Sequence, residues 1–296
     1  MKLSVIIPSY ESQDNLEATL KAIEPQVNEN IEIIVVDCSA TSEVDQICNR
    51  FGFVQFIKET KRFNPGKGRN IGAKYAQGDY LVFLDSDVIL DPRALELIGS
   101  HASNGFKVFG GALELNTEAD SSLSSYIEHY YFNHESQASR SPTIRSNLSS
   151  ALMVIAKSTF ENARGFSDLP RMQDTELTER LVSDGLTLYF FPDIVGYQIQ
   201  DSPLKKVLKK IFITGNNLFF LRYQRKAVGP GKLAIAALLP FLMLAKITRI
   251  NYRNIKFAAS PKMIFVLCPM MYLCGVAWMA GFYKGIFVSN GIDAGR

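Results

Sequence analysis

The chain has 296 residues, of which 47% are hydrophobic, and its formal net charge is +3. This length and composition allow a sizeable core in one large domain, or in one domain with an appendage. The small net charge lacks the strongly basic balance of a nucleic-acid-binding protein, so no nucleic-acid partner is predicted. The four cysteines show no metal-ligand spacing, which predicts reduced thiols in a cytosolic setting. The apolar run at the N-terminus is too short for a signal peptide.

Short apolar runs alternate with segments of helical spacing along the first two thirds of the chain. Several runs are rich in β-branched residues, as buried strands are. Repeated strand–helix units with short links predict an α/β fold, namely a Rossmann-like, mostly parallel sheet with helices on both faces. The predicted strands are Leu3–Pro8, Ile31–Asp37, Val54–Glu59, Tyr80–Leu84, Ala151–Ala156 and Leu188–Phe191, and the predicted helices are Asn15–Ile23, Glu43–Phe51, Gly66–Ala76, Pro92–Ser100, Lys157–Ala163 and Asp174–Ser183.

The strand predicted at 80–84 ends in two acids, Asp85 and Asp87. Their i, i+2 spacing puts both carboxylates on the same side of an extended chain. Ser9 and Asp37 also lie at strand ends, and ligands of such sheets bind outside the carboxyl ends of the strands. The two acids therefore predict a site for Mg²⁺ or Mn²⁺ that also binds the phosphates of a nucleotide diphosphate. The alternative is a simple strand-to-turn junction, where Asp is common.

Residues 117–147 differ in composition from the alternating segments around them. They are rich in Ser, Asn, Glu and aromatic residues. A long polar and aromatic stretch inside a compact domain predicts a functional loop or a short helix. The alternative is an amphipathic surface helix that packs its Tyr and Phe side chains.

The C-terminal third is more apolar than the rest of the chain. Leu233–Ala245 is shorter than the roughly 20 residues of a spanning helix, whereas Met263–Tyr283 reaches that length. Trp278 and Tyr283 lie near one end of the second run, as an interfacial belt requires. We predict that the first run re-enters the membrane or lies in its interface, and that the basic linker 246–262 stays on the near side. The alternative is a pair of buried helices in a soluble domain.

A basic stretch precedes these apolar runs and contains no acid over residues 204–232. Such a stretch is expected to meet the anionic headgroups of a membrane. Its cations are Lys205, Lys206, Lys209, Lys210, Arg222, Arg225, Lys226 and Lys232.

The chain resembles the family-2 glycosyltransferases, which have the A-type glycosyltransferase fold (GT-A), over roughly residues 3–220. The resemblance rests on several short motifs that stand in the order and spacing of the family. These motifs are Ser4–Tyr10, Glu32–Ser39, Gly68–Ala73, Asp85–Asp87, Gly165–Asp168 and Gln173–Leu181.

The resemblance implies a nucleotide-sugar site. Pro8, Ser9 and Tyr10 are expected to form the turn under the nucleobase, with the Tyr10 ring available for stacking. Asp37 is expected to accept a hydrogen bond from an N–H of the base. Arg69 is expected to bind phosphate or a base edge, which suits its planar guanidinium.

The resemblance also implies a metal site and a general base. Asp87 is expected to ligate Mg²⁺ or Mn²⁺, and Asp85 to bind the ribose, the metal or a metal-bound water. Asp174 is expected to deprotonate the acceptor hydroxyl. The alternative for Asp174 is an acid in the first turn of a helix, stabilised by the helix dipole.

The chain departs from the family pattern at two places. Gln173 stands where the family has a Glu next to the base. The segment after Pro192 lacks the usual metal-binding His, so either Asp201 or a water is expected to substitute or metal binding is expected to be weaker. The Gln-x-x-Arg-Trp signature of processive synthases is absent from the chain, which favours transfer of a single sugar.

Together these features predict an inverting, metal-dependent glycosyltransferase at the cytoplasmic face of the cell membrane. Its expected partners are a nucleotide diphosphate sugar, UDP-linked, a lipid-linked or nascent glycan acceptor, and membrane lipids. The alternatives are a polyprenyl-phosphate hexosyltransferase and a catalytically silent, membrane-anchored scaffold that binds nucleotide sugars. The predicted parts are a catalytic domain at 1–203 with a nucleotide-sugar half (1–110) and an acceptor half (111–203), a basic helical linker at 204–231, and membrane-associated helices at 232–296.

Overall fold

A computed structural model describes residues 1–118, 122–224, 229–258, 261–288 and 291–292. The chain forms two compact units. Unit 1 comprises residues 1–116, 140–169 and 173–199, and unit 2 comprises residues 117–139, 170–172 and 200–296.

The described ranges contain nine strands and ten α-helices. A 3₁₀ turn follows the first helix at Glu24–Gln26, and a π-helical turn lies at Phe219–Tyr223. The strands are β1 Leu3–Ser9, β2 Ile31–Asp37, β3 Val54–Lys58, β4 Tyr80–Leu84, β5 Val88–Leu90, β6 Val108–Leu115, β7 Thr143–Arg145, β8 Leu152–Ala156 and β9 Leu188–Gln198. The helices are α1 Leu16–Ile23, α2 Glu43–Cys48, α3 Pro65–Tyr75, α4 Ala94–Ser103, α5 Leu123–Phe132, α6 Lys157–Asn162, α7 Gln173–Ser183, α8 Leu204–Leu218, α9 Pro230–Phe257 and α10 Pro261–Phe287.

The strands of unit 1 form a mixed sheet in the order β3-β2-β1-β4-β8-β6-β9-β5, with β7 paired to β9. The first four strands are parallel to one another, whereas β8 is antiparallel to both of its neighbours. Side chains of successive residues enter opposite cores, so Val5 and Ile7 lie in one cluster and Ile6 in the other. Because helices cover both faces, these strands are continuous apolar runs. The predicted α/β class is confirmed.

Three strands, β5, β6 and β7, are absent from the sequence prediction, and β9 extends beyond the predicted Leu188–Phe191. Gly110 and Gly111 interrupt the apolar pattern of β6. Position 111 requires a glycine, because a Cβ there would lie only 2.5 Å from the carbonyl oxygen of Ile194. The pairing of β6 with β9 shifts register here, from Phe191 to Val195. A bulge of this kind tolerates Pro192, which had marked the expected end of the strand.

The polar and aromatic segment 117–147, for which a functional loop or a short helix is predicted, contains the helix α5. Ile127, Tyr130 and Tyr131 of α5 are buried in an apolar cluster with residues of α8, α9 and α10. This shared cluster explains why residues 117–139 belong to unit 2. Arg225 and Lys226 of the predicted basic linker lie outside the described residues.

Helix α9 is longer than the sequence pattern predicts. The expected short run Leu233–Ala245 is continuous with most of the expected linker 246–262, because the helix ends only at Phe257. The charged side chains after Ala245 ended the apolar pattern but did not end the helix. Among the described residues, α9 and α10 are both long and apolar enough to cross a membrane, judged by length and composition.

Candidate active site

The carboxyl ends of β1, β2 and β4 lie at one edge of the unit 1 sheet. Ser9 pairs with Asp37 in the parallel register, and Ile6 of β1 pairs with Phe83 of β4. Asp85 follows β4 directly, so it lies at the same edge. The structure therefore brings together the three strand ends that the sequence pattern singled out.

Asp37 is fully buried and its carboxylate is already hydrogen-bonded within the protein. The hydroxyl of Ser39 donates to Oδ1 at 2.7 Å, and the Ser39 backbone N–H donates to Oδ2 at 3.0 Å. Lys58, the register partner of Asp37 on β3, forms an ion pair with it at 2.7 Å. Sequence reasoning missed Lys58 and Ser39, because their contact with Asp37 depends on the register of β2 and β3 and on the turn after β2.

The segment Pro8–Tyr10 ends β1 and starts the next turn. The Ser9 hydroxyl is buried and has no hydrogen-bond partner among the described residues. The guanidinium of Arg62 lies 4.0 Å from the centroid of the Tyr10 ring. Arg62 was not predicted as a site residue, since nothing in its surroundings in the chain marks it. One face of the predicted stacking ring is therefore covered by a cation.

Arg69 is a buried cation at the centre of this edge. Its guanidinium pairs with the carboxylate of Asp85 and lies 5.5 Å from the centroid of the Phe166 ring. Its Nε has no hydrogen-bond partner among the described residues. Asn70, the next residue of α3, donates to the Phe166 carbonyl at 2.8 Å and accepts from its N–H at 2.9 Å. Asn70 thereby holds the ring against which Arg69 lies.

Asp87 lies two residues beyond Asp85, between β4 and β5, and is half-buried. The side-chain amide of Gln198 lies 3.5 Å from both of its carboxylate oxygens. Gln198 ends β9 and belongs to the segment where the family's His is missing. Among the described residues, no group of three His, Cys, Asp or Glu side chains could by itself hold a metal. Two carboxylates at one edge still fit Mg²⁺ or Mn²⁺, which commonly keep waters and bind substrate phosphates.

Asp174 lies in the first turn of α7. Its Oδ1 accepts from the Thr175 N–H at 2.7 Å, and its Oδ2 lies 3.5 Å from the Ser150 nitrogen. Burial raises the pKa of the Asp174 carboxyl, whereas the Thr175 N–H and the charge of Arg69 oppose that rise. A carboxylate with a raised pKa is better suited to accept a proton than an ordinary surface Asp.

Gln173, which replaces the family's Glu, is buried beside this candidate base. Its side-chain amide donates to the Leu169 carbonyl at 2.7 Å. A carboxylate could not donate this hydrogen bond, so the contact with Leu169 explains why an amide stands at position 173. Further along α7, Arg180 binds Glu176 at 2.9 Å and the Gly165 carbonyl at 2.8 Å. This part of the acceptor-side motif therefore holds the loop that carries Phe166.

Comparison with known proteins places the chain among enzymes. The family model described as glycosyl transferase family 2 matches residues 4–160. The GalNAc(5)-diNAcBac-PP-undecaprenol beta-1,3-glucosyltransferase of Campylobacter jejuni is 28% identical over 170 residues, which are 55% of this chain and 54% of that protein. The probable glycosyltransferase YdaM of Bacillus subtilis is 28% identical over 214 residues, 67% of this chain and 50% of that protein. The matched regions thus span about half the length of these two curated relatives.

Solved structures resemble the chain in fold. The mannosyltransferase PcManGT from Pyrobaculum calidifontis, in complex with GDP-Man and Mn²⁺, has a TM-score of 0.62 at 16% identity and covers 97% of this chain and 87% of its own. Staphylococcus aureus TarS 1–349 in complex with UDP-GlcNAc has a TM-score of 0.57 at 14% identity, with coverages of 96% and 90%. The family match, together with the geometry of the strand ends, shows that this chain is a glycosyltransferase of family 2 with the GT-A fold.

Proposed function

We propose that the chain is an inverting, metal-dependent hexosyltransferase that uses a nucleotide diphosphate sugar and a lipid-linked or nascent glycan acceptor. The observation that carries this proposal is the arrangement of Arg69, Asp85 and Asp174. Arg69 pairs with Asp85, and both charges act on the Asp174 carboxyl. A phosphate-binding cation, a candidate metal ligand and a candidate base therefore lie close together in unit 1.

The nucleotide would bind at the ends of β1 and β2. The Ser9 hydroxyl and the Arg69 Nε, for which the described residues offer no hydrogen-bond partner, provide hydrogen-bonding groups, and Pro8 precedes Ser9 in β1. Tyr10 and Arg62 offer a stacked pair that can meet a base, and Asp37, held by Lys58, would accept a hydrogen bond from that base. We assign a UDP-linked donor, which is consistent with the UDP-GlcNAc complex of TarS, although the PcManGT complex contains GDP-Man.

Asp87 and Asp85 are the residues that would hold Mg²⁺ or Mn²⁺, with the Gln198 amide beside Asp87. When bound, such an ion neutralises charge on the departing diphosphate. The Mn²⁺ in the PcManGT complex supports a divalent ion for this chain. The direct role of Arg69 is to bring a fixed positive charge to the same edge, and its pair with Asp85 orients that carboxylate.

Asp174 would take the proton from the acceptor hydroxyl as its oxygen attacks the anomeric carbon. Attack from the face opposite the leaving diphosphate inverts the configuration at that carbon. One positioned general base contributes a factor of about 10²–10⁴ to the rate. The Ser150 and Thr175 N–H groups near the Asp174 oxygens fix the direction of the carboxylate.

We also assign the chain to the cytoplasmic face of a membrane, anchored through unit 2. Only 22% of the apolar window of α9 and 33% of that of α10 is buried within the protein. Large apolar side chains are instead exposed, among them Leu233 (67%), Phe241 (70%) and Phe265 (66%). Core helices of a soluble domain would bury such side chains. The cations of the 204–232 stretch would meet anionic headgroups.

Hydrolysis of a nucleotide sugar by the full chain, with and without Mn²⁺ and in the absence of acceptor, tests the proposed enzyme against a silent scaffold. Metal-dependent release of the nucleotide supports the enzyme. No release with any donor of a UDP- and GDP-sugar panel, despite binding, would favour the scaffold. Extraction of the lipid product then separates the two enzymes, because a glycosylated monophosphate lipid would identify a polyprenyl-phosphate hexosyltransferase.

A further inference from the structure

A group of cations in unit 2 takes no part in the chemistry described above. It consists of Lys246, Arg249 and Arg253 of α9 and Arg222 of the π-helical turn, here called the α9 cation cluster. The spacing i, i+3, i+7 puts the three α9 side chains on one face of the helix. Arg222, Arg249 and Arg253 are all close enough to Lys246 to act on its charge.

Lys246 lies against aromatic rings within the cluster. Its Nζ is 5.4 Å from the centroid of the Tyr131 ring and 5.2 Å from that of the Trp278 ring. The Tyr131 hydroxyl and the Trp278 indole N–H are buried, and neither has a hydrogen-bond partner among the described residues. Both groups can donate, and a buried donor without an acceptor is costly. A ligand rich in acceptor oxygens would satisfy donors and cations together.

In the part of the chain that the structure describes, the acid near the cluster does not balance the charge of Lys246, Arg249 and Arg253. Glu135 is the acid that acts on Lys246, and its carboxylate pairs with Arg253. Among the described residues, one carboxylate faces the three cations of α9, which leaves a surplus of positive charge that attracts anions. The cluster therefore favours a ligand that carries more than one negative charge.

The helix that presents these cations is held in place by buried hydrogen bonds. Gln137 donates to the Asn254 side chain at 2.8 Å, and Asn254 donates to the Tyr130 carbonyl at 2.9 Å. Asn254 and Gln137 are both fully buried. Because these bonds join α9 to the 117–139 segment beside Arg253, the cationic face is preorganised before a ligand arrives.

The N-terminal half of the same helix exposes apolar side chains, including Leu238, Phe241 and Leu242. A ligand that satisfies both halves of α9 has a phosphate group on a hydrocarbon chain. We propose that the α9 cation cluster binds the phosphate or diphosphate that joins the acceptor to its lipid carrier, an inference that rests on the proposed function. Headgroups of bulk anionic phospholipids share this chemistry but carry one phosphate charge, whereas a diphosphate engages several cations at once.

The test measures binding of the full chain to phosphatidylcholine vesicles that contain polyprenyl diphosphate, phosphatidylglycerol at equal total charge, or neither. Arg249→Gln removes an exposed cation, and Lys246→Met removes the aromatic-packed one. Each is expected to weaken binding to the polyprenyl diphosphate vesicles by about tenfold. Lys74→Gln, which removes an exposed cation of α3 in unit 1, is the matched control and should change binding by less than about twofold. Inorganic pyrophosphate should compete with the wild type.

Two results would overturn the proposal. One is unchanged affinity for polyprenyl diphosphate in Arg249→Gln, which is exposed and leaves the packing of unit 2 intact. The other is equal affinity for phosphatidylglycerol, which would assign the cluster to bulk headgroups. Metal-dependent donor hydrolysis, measured on the same preparations, needs no carrier. Its absence from the wild type would contradict the proposed function and leave the binding result to be judged separately.

Discussion

The two units of the protein hold their charges in different ways. In unit 1 the site contains two ion pairs, Asp37 with Lys58 and Asp85 with Arg69. Among the described residues of unit 2, the α9 cations Lys246, Arg249 and Arg253 lie around one paired acid, with Lys246 against aromatic rings. Unit 1 therefore holds cations near an expected phosphate site in ion pairs, whereas unit 2 holds cations near an expected phosphate site in excess of the described acids.

The difference shows that an ion pair and a surplus of cations serve a ligand in two ways: the ion pair fixes its position, and the surplus attracts it. A buried ion pair contributes little net attraction for a third group, but removing one partner leaves a costly unpaired charge. Its value to unit 1 is a fixed geometry for donor and metal. A surplus of cations adds no comparable precision, but it concentrates anions. Substitutions in unit 1 should therefore affect turnover and donor binding, whereas those in unit 2 should affect stability and carrier binding.

The largest effect is expected for Asp174→Asn. Because this change removes the proton acceptor but keeps the shape of the side chain, transfer should fall by at least about a hundredfold with donor affinity unchanged. Single-turnover transfer and donor titration would measure the two quantities. Asp184→Asn, an exposed acid just after α7, is the control. Lost donor affinity with normal turnover at saturation would give Asp174 a binding role instead.

Asp87→Asn should abolish the Mn²⁺-dependent part of donor binding and lower transfer by about a hundredfold. The motive is the pair of carboxylates at the end of β4, one of which already pairs with Arg69. Calorimetric titration with UDP in the presence and absence of Mn²⁺ checks the change. Equal metal-dependent affinity in variant and wild type would remove Asp87 from the metal site.

Gly281→Ala tests unit 2 by packing and not by charge. A Cβ on Gly281 would lie 1.8 Å from the Phe212 carbonyl oxygen, so α10 and α8 must separate. Overpacking of this kind should cost about 2 kcal/mol and lower the Tm by roughly 5 °C. Gly99→Ala in α4, where a Cβ meets only the end of Met1 at 4.0 Å, is the control. Equal melting temperatures would show that the helices need no close contact.

Arg69→Lys retains the charge but loses the planar guanidinium. Donor affinity should fall by about tenfold, because an ammonium cannot bind Asp85 and a phosphate through one fork. Arg50→Lys, in an exposed pair with Glu17, should leave donor affinity unaltered. If both variants bind the donor like the wild type, the orientation of Asp85 does not depend on the guanidinium.

The smallest effect concerns stability. The folded-state pKa of Asp174 is raised above the ordinary value of 3.8, mainly by burial. Between those two values the folded state binds more protons than the unfolded state, so stability falls as pH rises through that window. Asp174→Asn should therefore raise the Tm slightly at neutral pH and not at pH 3. A lower Tm at neutral pH would contradict this sign.

Most of the sheet and the site edge could be predicted from the sequence, because continuous apolar runs end in polar residues there. Ile31–Asp37 and Tyr80–Leu84 were predicted with their observed ends. Parallel pairing then placed Ser9, Asp37 and Asp85 together without further information.

Other features depend on contacts between residues far apart in the chain. Lys58 and Arg62 become part of the site only through register and turn geometry. Strand β6 was not predicted, because its glycines are required by close contact with neighbouring strands of the sheet and not by a local sequence pattern. The length of α9 was hidden because its charged half interrupts the apolar run while packing against the 117–139 segment.

The most direct test of the central claim is the NMR signal of the anomeric proton during transfer by the full chain from an α-linked UDP-hexose to a lipid-linked acceptor. The account predicts Mn²⁺- or Mg²⁺-dependent appearance of a β-linked product in the wild type and its loss in Asp174→Asn. An α-linked product, or β-linked transfer at the wild-type rate in Asp174→Asn, would contradict an inverting reaction with Asp174 as its base.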